Sequence, residues 1–457
     1  MRNLFSQSPA TIAFANSVDA FIPEVWAQEA LMVLENNMVM GNLVHRDFEN
    51  EIAQFGDVVN TRRPSKFSMS RKGVNDDVVE EDAVATNVAV PLNQHLYKSF
   101  IIKDGEESKG MTSLVNTYLT PAVISIAEGI DQILHMQTYR FLPNAVGAIG
   151  TTTAVSTVID AREKLTTNLC PMSGRSLILT PTQEGHLLNI DAFTGAEKTG
   201  DAGTAIREGS LGRKLGFDCF TAQQAPSISS NVTTVTGAVN NAGGYAIGTT
   251  SLTVDGFSAA ITNGSWIKLD GQPYKVVSTV GGATPTSITI QSGLRKATAD
   301  DAVVTVVRPA LVNLGAGYAN GWEKGIVYDT ITPIRSGQLV STGVGALVYG
   351  ALAGTSATSV LLDRPIEAAL ADDAVLGLGP AGQYGLAFHR NALALVTRPL
   401  AAPRPGTGAL SAVANYNGLG IRVVIAYDSV KQGHRVTVDL LAGVQVLYDE
   451  LGVPVLA

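Results

Sequence analysis

The chain has 457 residues and a net charge of −8, from 32 Lys and Arg against 40 Asp and Glu. Charged residues are only 16% and hydrophobic ones 45%, which excludes intrinsic disorder, because disordered chains pair low hydrophobicity with high net charge. The acidic balance argues against strong sequence-independent nucleic-acid binding, which needs many cations on phosphates, and no apolar run approaches the ~18 residues of a membrane span.

At roughly 100–200 residues per domain, two to four domains are expected. Met1–Ala20 holds one early Arg and no continuous apolar core, so no signal peptide is expected, and residues 1–23 read as an arm. Residues 24–40 place Val25, Ala30, Leu31, Leu34 and Met38 near helical spacing and predict a helix. Residues 55–103 differ: strand-like ends, Asp57–Thr61 and Tyr97–Ile102, flank a polar stretch without apolar periodicity. Within it Arg62, Arg63, Lys66, Arg71 and Lys72 carry five positive charges, and Asp76, Asp77, Glu80, Glu81 and Asp82 carry five negative ones. A long projecting loop or hairpin is predicted. Its charges form either two solvated faces or a bipolar strip that meets the opposite strip of a neighbouring subunit. Exposed ion pairs contribute only ~0–1 kcal/mol each, so such a strip sets register more than stability.

Met111, Leu114, Val115, Tyr118 and Leu119, then Ala122, Ile126, Ile130, Ile133 and Leu134, predict a short helix and a long one over 121–142. Thr120 is the expected N-cap, Pro121 suits the first turn, and Pro143 the stop. Residues 155–168 predict a helix, Leu177–Thr180 a strand, and Phe217–Ala222 another. Cys170 and Cys219 supply no disulfide framework and read as free thiols of a reducing cytoplasm.

From 228 to about 380, Thr, Val, Gly and Ser dominate and alternation signals strands. Asp270–Gly271 lies between two β-prone runs and predicts a type I′ hairpin. Residues 287–304 align without gaps on 359–376, sharing the Ala-Asp-Asp-Ala-Val run at Ala299 and Ala371. Two related β modules follow from this repeat. The paired aspartates read as a polar turn before a strand, since no further ligand cluster surrounds them. Gly385–Phe388, Leu393–Thr397, Ile421–Tyr427 and Arg435–Leu447 read as strands, and 400–415 as a Pro/Ala/Gly-rich loop.

No catalytic constellation emerges. His45, His95, His135, His186, His389 and His434 are dispersed, without HExxH or paired metal spacing. Gly377–Gly382 satisfies GxGxxG, but Pro380 removes one amide and a strand-like segment follows, so the run reads as a loop between strands. The expectation is a structural protein, not an enzyme, with no cofactor or metal.

The C-terminal segments GQYGLAFHRNALALVTRPLAAP (382–403) and NGLGIRVVIAYDSVKQGHRVTVDLLAGVQVLYDELGVPVL (417–456) resemble the coat proteins of tailed bacteriophages. The branch most similar is that of short-tailed Salmonella phages, whose coat carries an inserted β domain. DAREKL (160–165), GRSLILTP (174–181), EGSLGRKLGFDCF (208–220) and PAVISIAEGIDQIL (121–134) resemble further segments of that family in the same order. About two-thirds of the chain is covered; Ala442 stands where the family more often has Tyr.

The resemblance implies an α+β, Hong Kong 97-like (HK97-like) capsid fold with a β-rich insertion. Its parts are an N-terminal arm and helix (1–50), an extended loop (51–106), the spine helix of a peripheral domain (107–142) and an axial domain (143–227). An insertion of two modules (228–380; about 228–310 and 325–380) and return strands (381–457) follow. It implies a major capsid protein, assembled in the host bacterial cytoplasm, that forms an icosahedral shell around double-stranded DNA in the virion. The implied partners are itself, in hexamers and pentamers, a scaffolding protein, a portal protein, a possible decoration protein and weakly held DNA, with no membrane. An encapsulin-type compartment and a secreted β-rich surface-layer protein are the alternatives. The ten charged residues of 62–82 are the expected subunit interface.

Overall fold

The computed structural model describes residues 23–46, 58–63, 69–75, 77–78, 80, 86–104, 118–195, 208–230, 234–329, 332–343, 347–404, 406–416 and 419–457. The arm and the short helix expected before residue 120 lie outside these residues.

The first element is helix α1, Pro23–Asn37. Trp26, Ala27, Ala30, Leu31 and Leu34 recur at helical spacing and are buried on one face. The helix ends at Asn37 rather than at residue 40, and side-chain amides take up its last carbonyls: Asn37 Nδ2 donates to Val33 O at 2.8 Å and Asn42 Nδ2 to Glu35 O at 2.9 Å. The long helix α2 runs Thr120–Met136. Leu119, not Thr120, stands at its N-cap and offers no side-chain acceptor. Beyond Met136 the chain tightens into a 3₁₀ segment, Gln137–Asn144, that contains Pro143. An α-helix to 142 was expected. In α geometry the Pro143 ring would press on the Tyr139 carbonyl, and the tighter winding avoids this.

The apolar faces of α1 and α2 pack on an antiparallel sheet whose centre is Gly433–Val446. One edge of that strand pairs Gly433–Ala442 with Gln94–Lys103. The other edge pairs first with Leu419–Asp428 and then with Leu393–Arg398. Leu410–Tyr416 forms the outer strand, overlapping the 400–415 stretch that reads as a loop. Tyr97–Ile102 is therefore a sheet strand of this body. It is not the second leg of the projecting hairpin, which is formed by Val58–Arg63 and Thr86–Pro91.

A second, mixed sheet centres on Gly382–His389, which pairs antiparallel with Arg175–Leu179 and with Gly452–Leu456. Phe217–Thr221 runs parallel to Arg175–Leu179. Helix α3, Val155–Thr167, covers this sheet with Val158, Ala161 and Leu165. Helix α4, Pro181–Leu188, begins at a capping box between Thr180 and Gln183, with Pro181 in its first turn.

The β-rich segment leaves this sheet at Ser227–Ile228 and re-enters it at Gly382–Gln383, and these residues pair with each other. Both ends of an insertion thus meet at one point. Its first part is a closed six-stranded barrel built from Thr234–Val239, Ser251–Asp255, Trp266–Leu269, Gln272–Val280, Ser287–Ile290 and Val303–Val307. Asp270 and Gly271 make the two-residue turn, both at positive φ (49° and 75°), as a type I′ turn requires.

The second part repeats that pairing pattern from Ala310, not from near 325. Ala310–Leu311 pairs with Val375–Leu378, that strand with Leu339–Thr342, and Leu339–Thr342 with Val348–Gly350. Ile326–Val327 pairs with Ser359–Val360, and single bridges at Ala351–Leu362 and Val312–Tyr328 complete the circuit. The paired aspartates explain why the repeat survives in sequence. Asp300 Oδ1 accepts from Asn241 N at 2.7 Å, and Asp372 Oδ1 accepts from Leu314 N at 2.9 Å. Asp301 and Asp373 both stand at φ 59°, where Asp is tolerated better than most residues. Tyr245 Oη accepts from Thr253 N, and Tyr318 Oη from Val327 N, at 2.8 and 2.7 Å.

Candidate functional site

The chain presents two sets of residues beyond its cores: the charged hairpin, and the seam that holds the insertion on the body.

Near its base, the hairpin places Val59 and Val90 opposite each other in register and buries them against Ala394, Val396 and Leu447. This apolar patch fixes its root on the body. Beyond the strands, the described tip residues are exposed, and Met69, Val74 and Val78 are 91%, 100% and 74% exposed. The backbone of Arg62 pairs with Asn87 and that of Arg63 with Thr86. Arg71, Lys72, Asp77 and Glu80 are exposed. Among the described residues, no ion pair joins Arg71 or Lys72 to Asp77 or Glu80. Lys66, Asp76, Glu81 and Asp82 lie outside the described residues, so the structure neither gathers nor separates the full strip.

The seam is polar and was not legible in the sequence. Gln132 Nε2 donates to Ser336 Oγ at 3.1 Å, while Gln132 Oε1 accepts from Ala353 N at 3.0 Å. Gln137 Nε2 donates to Asp363 Oδ2 at 3.0 Å, and Tyr139 Oη donates to Gly337 O. On the first barrel, Ile149 N donates to Gly271 O at 2.8 Å and Gln272 Nε2 donates to Gly147 O. Burial raises the pKa of Asp363, an effect partly offset by Arg364, whose guanidinium is 3.2 Å away and lies over the Tyr349 ring.

Two buried carboxylates, Asp131 and Asp439, organise the body itself. Asp131 on α2 accepts from Val39 N at 2.5 Å and Gly41 N at 2.9 Å, tying α2 to the turn after α1. Burial raises its pKa, and the backbone donors oppose the rise. Arg422 and Asp439 face each other across neighbouring strands and form a two-pronged pair at 2.8 and 2.5 Å. A helical stripe or a strand alternation reveals apolar faces, not the polar residue buried among them, so neither charge was singled out from sequence.

The remaining sequence candidates resolve into packing. The GxGxxG run joins strand Val375–Leu378 to strand Gly382–His389, with no helix between. A Cβ at Gly377 would lie 2.1 Å from Gly264 O, so close approach of the two barrels requires glycine there. Among the described residues no three His, Cys, Asp or Glu side chains come together to hold a metal. His135 is buried against Met40, its Nδ1 2.9 Å from the sulfur, and burial lowers its pKa to about 3. Burial pushes the Cys219 thiol up to about 11, which disfavours the nucleophilic thiolate. Among the described residues no helix is long and apolar enough to cross a membrane.

No family model matches the chain, and no curated protein matches it. Among solved structures it is similar to a chain of Mycobacterium phage Che8, with 13% identity and a TM-score of 0.44, over 92% of this chain and 90% of that one. It is similar also to a chain of the capsid structure of the cyanophage P-SCSP1u, with 11% identity and a TM-score of 0.42, over 92% and 87%. A chain from the asymmetric unit of the bacteriophage PhiM1 mature capsid matches with 9% identity and a TM-score of 0.38, over 90% and 86%.

Proposed function

We propose that the chain is the major capsid protein of a tailed bacteriophage, and that its copies tile an icosahedral shell around double-stranded DNA. The observation that carries this reading is the hairpin rooted by Val59 and Val90, whose described tip offers Met69, Val74 and Val78 to solvent beside exposed charges. Apolar side chains at a tip with no core of its own gain burial only on another molecule. A second copy of the same chain supplies one in a head-to-tail contact that closes into rings. The order of the segments that resemble phage coat proteins supports the same reading.

In this account the cations Arg62, Arg63, Lys66, Arg71 and Lys72 and the acids Asp76, Asp77, Glu80, Glu81 and Asp82 set the register between neighbours. Scaffolding and portal proteins join the shell during assembly in the host cytoplasm, and the acidic chain holds packaged DNA only weakly. The insertion stabilises the subunit through its seam with α2. Expression of the full chain followed by electron microscopy tests the reading. Closed shells of uniform size are expected. A chain that stays monomeric at every concentration, with or without its scaffolding protein, contradicts it.

A further inference from the structure

A cavity of about 530 Å³ opens where the 3₁₀ segment after α2, the two barrels and the C-terminal strands meet. That volume lies within the ~300–1,000 Å³ of small-molecule sites. Four cations line it: Arg140 from the 3₁₀ segment, Lys275 and Arg295 from the first barrel, and Arg364 from the second. Asp449 is the only carboxylate among the described lining residues.

Arg364 has its counter-charges elsewhere, Asp363 at 3.2 Å and Glu367 at 2.6 Å, and neither lines the cavity. The other arginines hydrogen-bond to neutral oxygens, while Glu367, Asp363 and Asp449 lie near enough to Arg140 to favour its charge. Arg140 donates to Gln445 Oε1 at 3.0 Å. Arg295 donates to Gln272 Oε1, Leu142 O and Pro273 O at 3.1, 3.0 and 2.6 Å. Lys275 is 4% exposed. Four cations therefore line the cavity with a single lining carboxylate, Asp449, on a chain whose net charge is −8.

Taking cations out of water is unfavourable unless counter-charge is supplied. Burial lowers the pKa of Arg140, of Arg295, and of Lys275, the last to about 8. Guanidinium forks and an ammonium together suit the several oxygens of a phosphate better than the two of a lone carboxylate. Trp266 and Tyr139 add apolar wall.

We propose that this cavity is an oxyanion site that takes a small phosphate-bearing molecule. The site is independent of the capsid reading, and either can fail alone. Inorganic pyrophosphate is the probe, titrated calorimetrically into the full chain at constant ionic strength, with chloride as the reference anion. Wild type and the exposed-turn control Lys431→Gln bind saturably. Lys275→Met, which keeps the apolar stem, and Arg140→Gln weaken binding about tenfold or more, the loss expected for one charged hydrogen bond. Tryptophan fluorescence of the wild-type chain gives a readout that needs no variant, because Trp266 lines the cavity: its change saturates at the calorimetric midpoint. No saturable binding at millimolar pyrophosphate, or unchanged affinity in both folded variants, overturns the proposal.

Discussion

Gly350 gives the sharpest test of how the insertion sits on the body. It lies in strand Val348–Gly350 of the second barrel, against Met136 at the end of α2. A Cβ added there would lie 2.3 Å from Met136 Cγ and Sδ and 2.5 Å from Met136 Cβ. The backbone of Gly350 is outside the left-handed region, so the cost of Gly350→Ala is contact and not strain. Overpacking of this kind costs about 1–3 kcal/mol. The upper end is expected, because Met136 Cγ and Sδ can swing aside while its Cβ moves only with the helix. Met136→Ala relieves the flexible part of the clash and Met136→Gly relieves all of it, although each alone destabilises by about 2–5 kcal/mol through the lost buried side chain. The penalty of Gly350→Ala should therefore shrink stepwise from Met to Ala to Gly at position 136. Urea unfolding of the full chain, followed by tryptophan fluorescence, measures it: Trp26 reports on the body and Trp266 and Trp322 on the insertion. An equal penalty in all three backgrounds would refute the packing of the second barrel on α2.

Other consequences follow from the buried charges and the hairpin. Asp439→Leu leaves the half-buried Arg422 without its carboxylate and should cost about 1–3 kcal/mol, whereas Arg422→Met with Asp439→Leu should lie close to wild type, since an apolar pair of similar volume often replaces a largely buried ion pair without loss; urea midpoints of the two variants and wild type decide this. The raised pKa of Asp131 means that the folded state holds this proton more tightly than the unfolded state. Its contribution is fully present below the ordinary carboxylate value and is lost as pH rises through the folded one. Asp131→Asn should abolish that part of the pH slope and cost about 1–3 kcal/mol near neutrality, because one amide donor loses its charged acceptor; unfolding midpoints measured against pH for both chains test this. Charge reversal of Arg62, Arg63, Lys66, Arg71 and Lys72 should block shell formation while circular dichroism stays native, and normal particles from that variant would remove the role assigned to the strip.

Sequence legibility followed the range of the interaction. Asp270–Gly271 was readable because the turn imposes its own positive φ angles on two adjacent residues. The repeat was readable because Asp300 and Asp372 each hold the same backbone amide of the same barrel pattern. Helix α3 and the strands around Gly382–His389 were readable from apolar spacing alone. Pairings far apart in sequence were not: nothing near Tyr97 shows that it lies opposite Asp439. The strand Leu410–Tyr416 was hidden because its composition is that of a loop, and only its partner Leu419–Asp428 and the face of α1 make it a strand. The seam residues Gln132, Gln137 and Asp363 look like ordinary surface polar residues until the insertion is folded back onto α2.

The central claim is that copies of this chain tile a shell through the hairpin. A cryo-electron microscopy reconstruction of particles formed by the expressed chain tests it most directly. The account predicts residues 69–80 lying on an adjacent subunit, with Met69, Val74 and Val78 covered and the charged strip opposite its complement. Shells in which that tip projects into solvent, untouched by any neighbour, would contradict it.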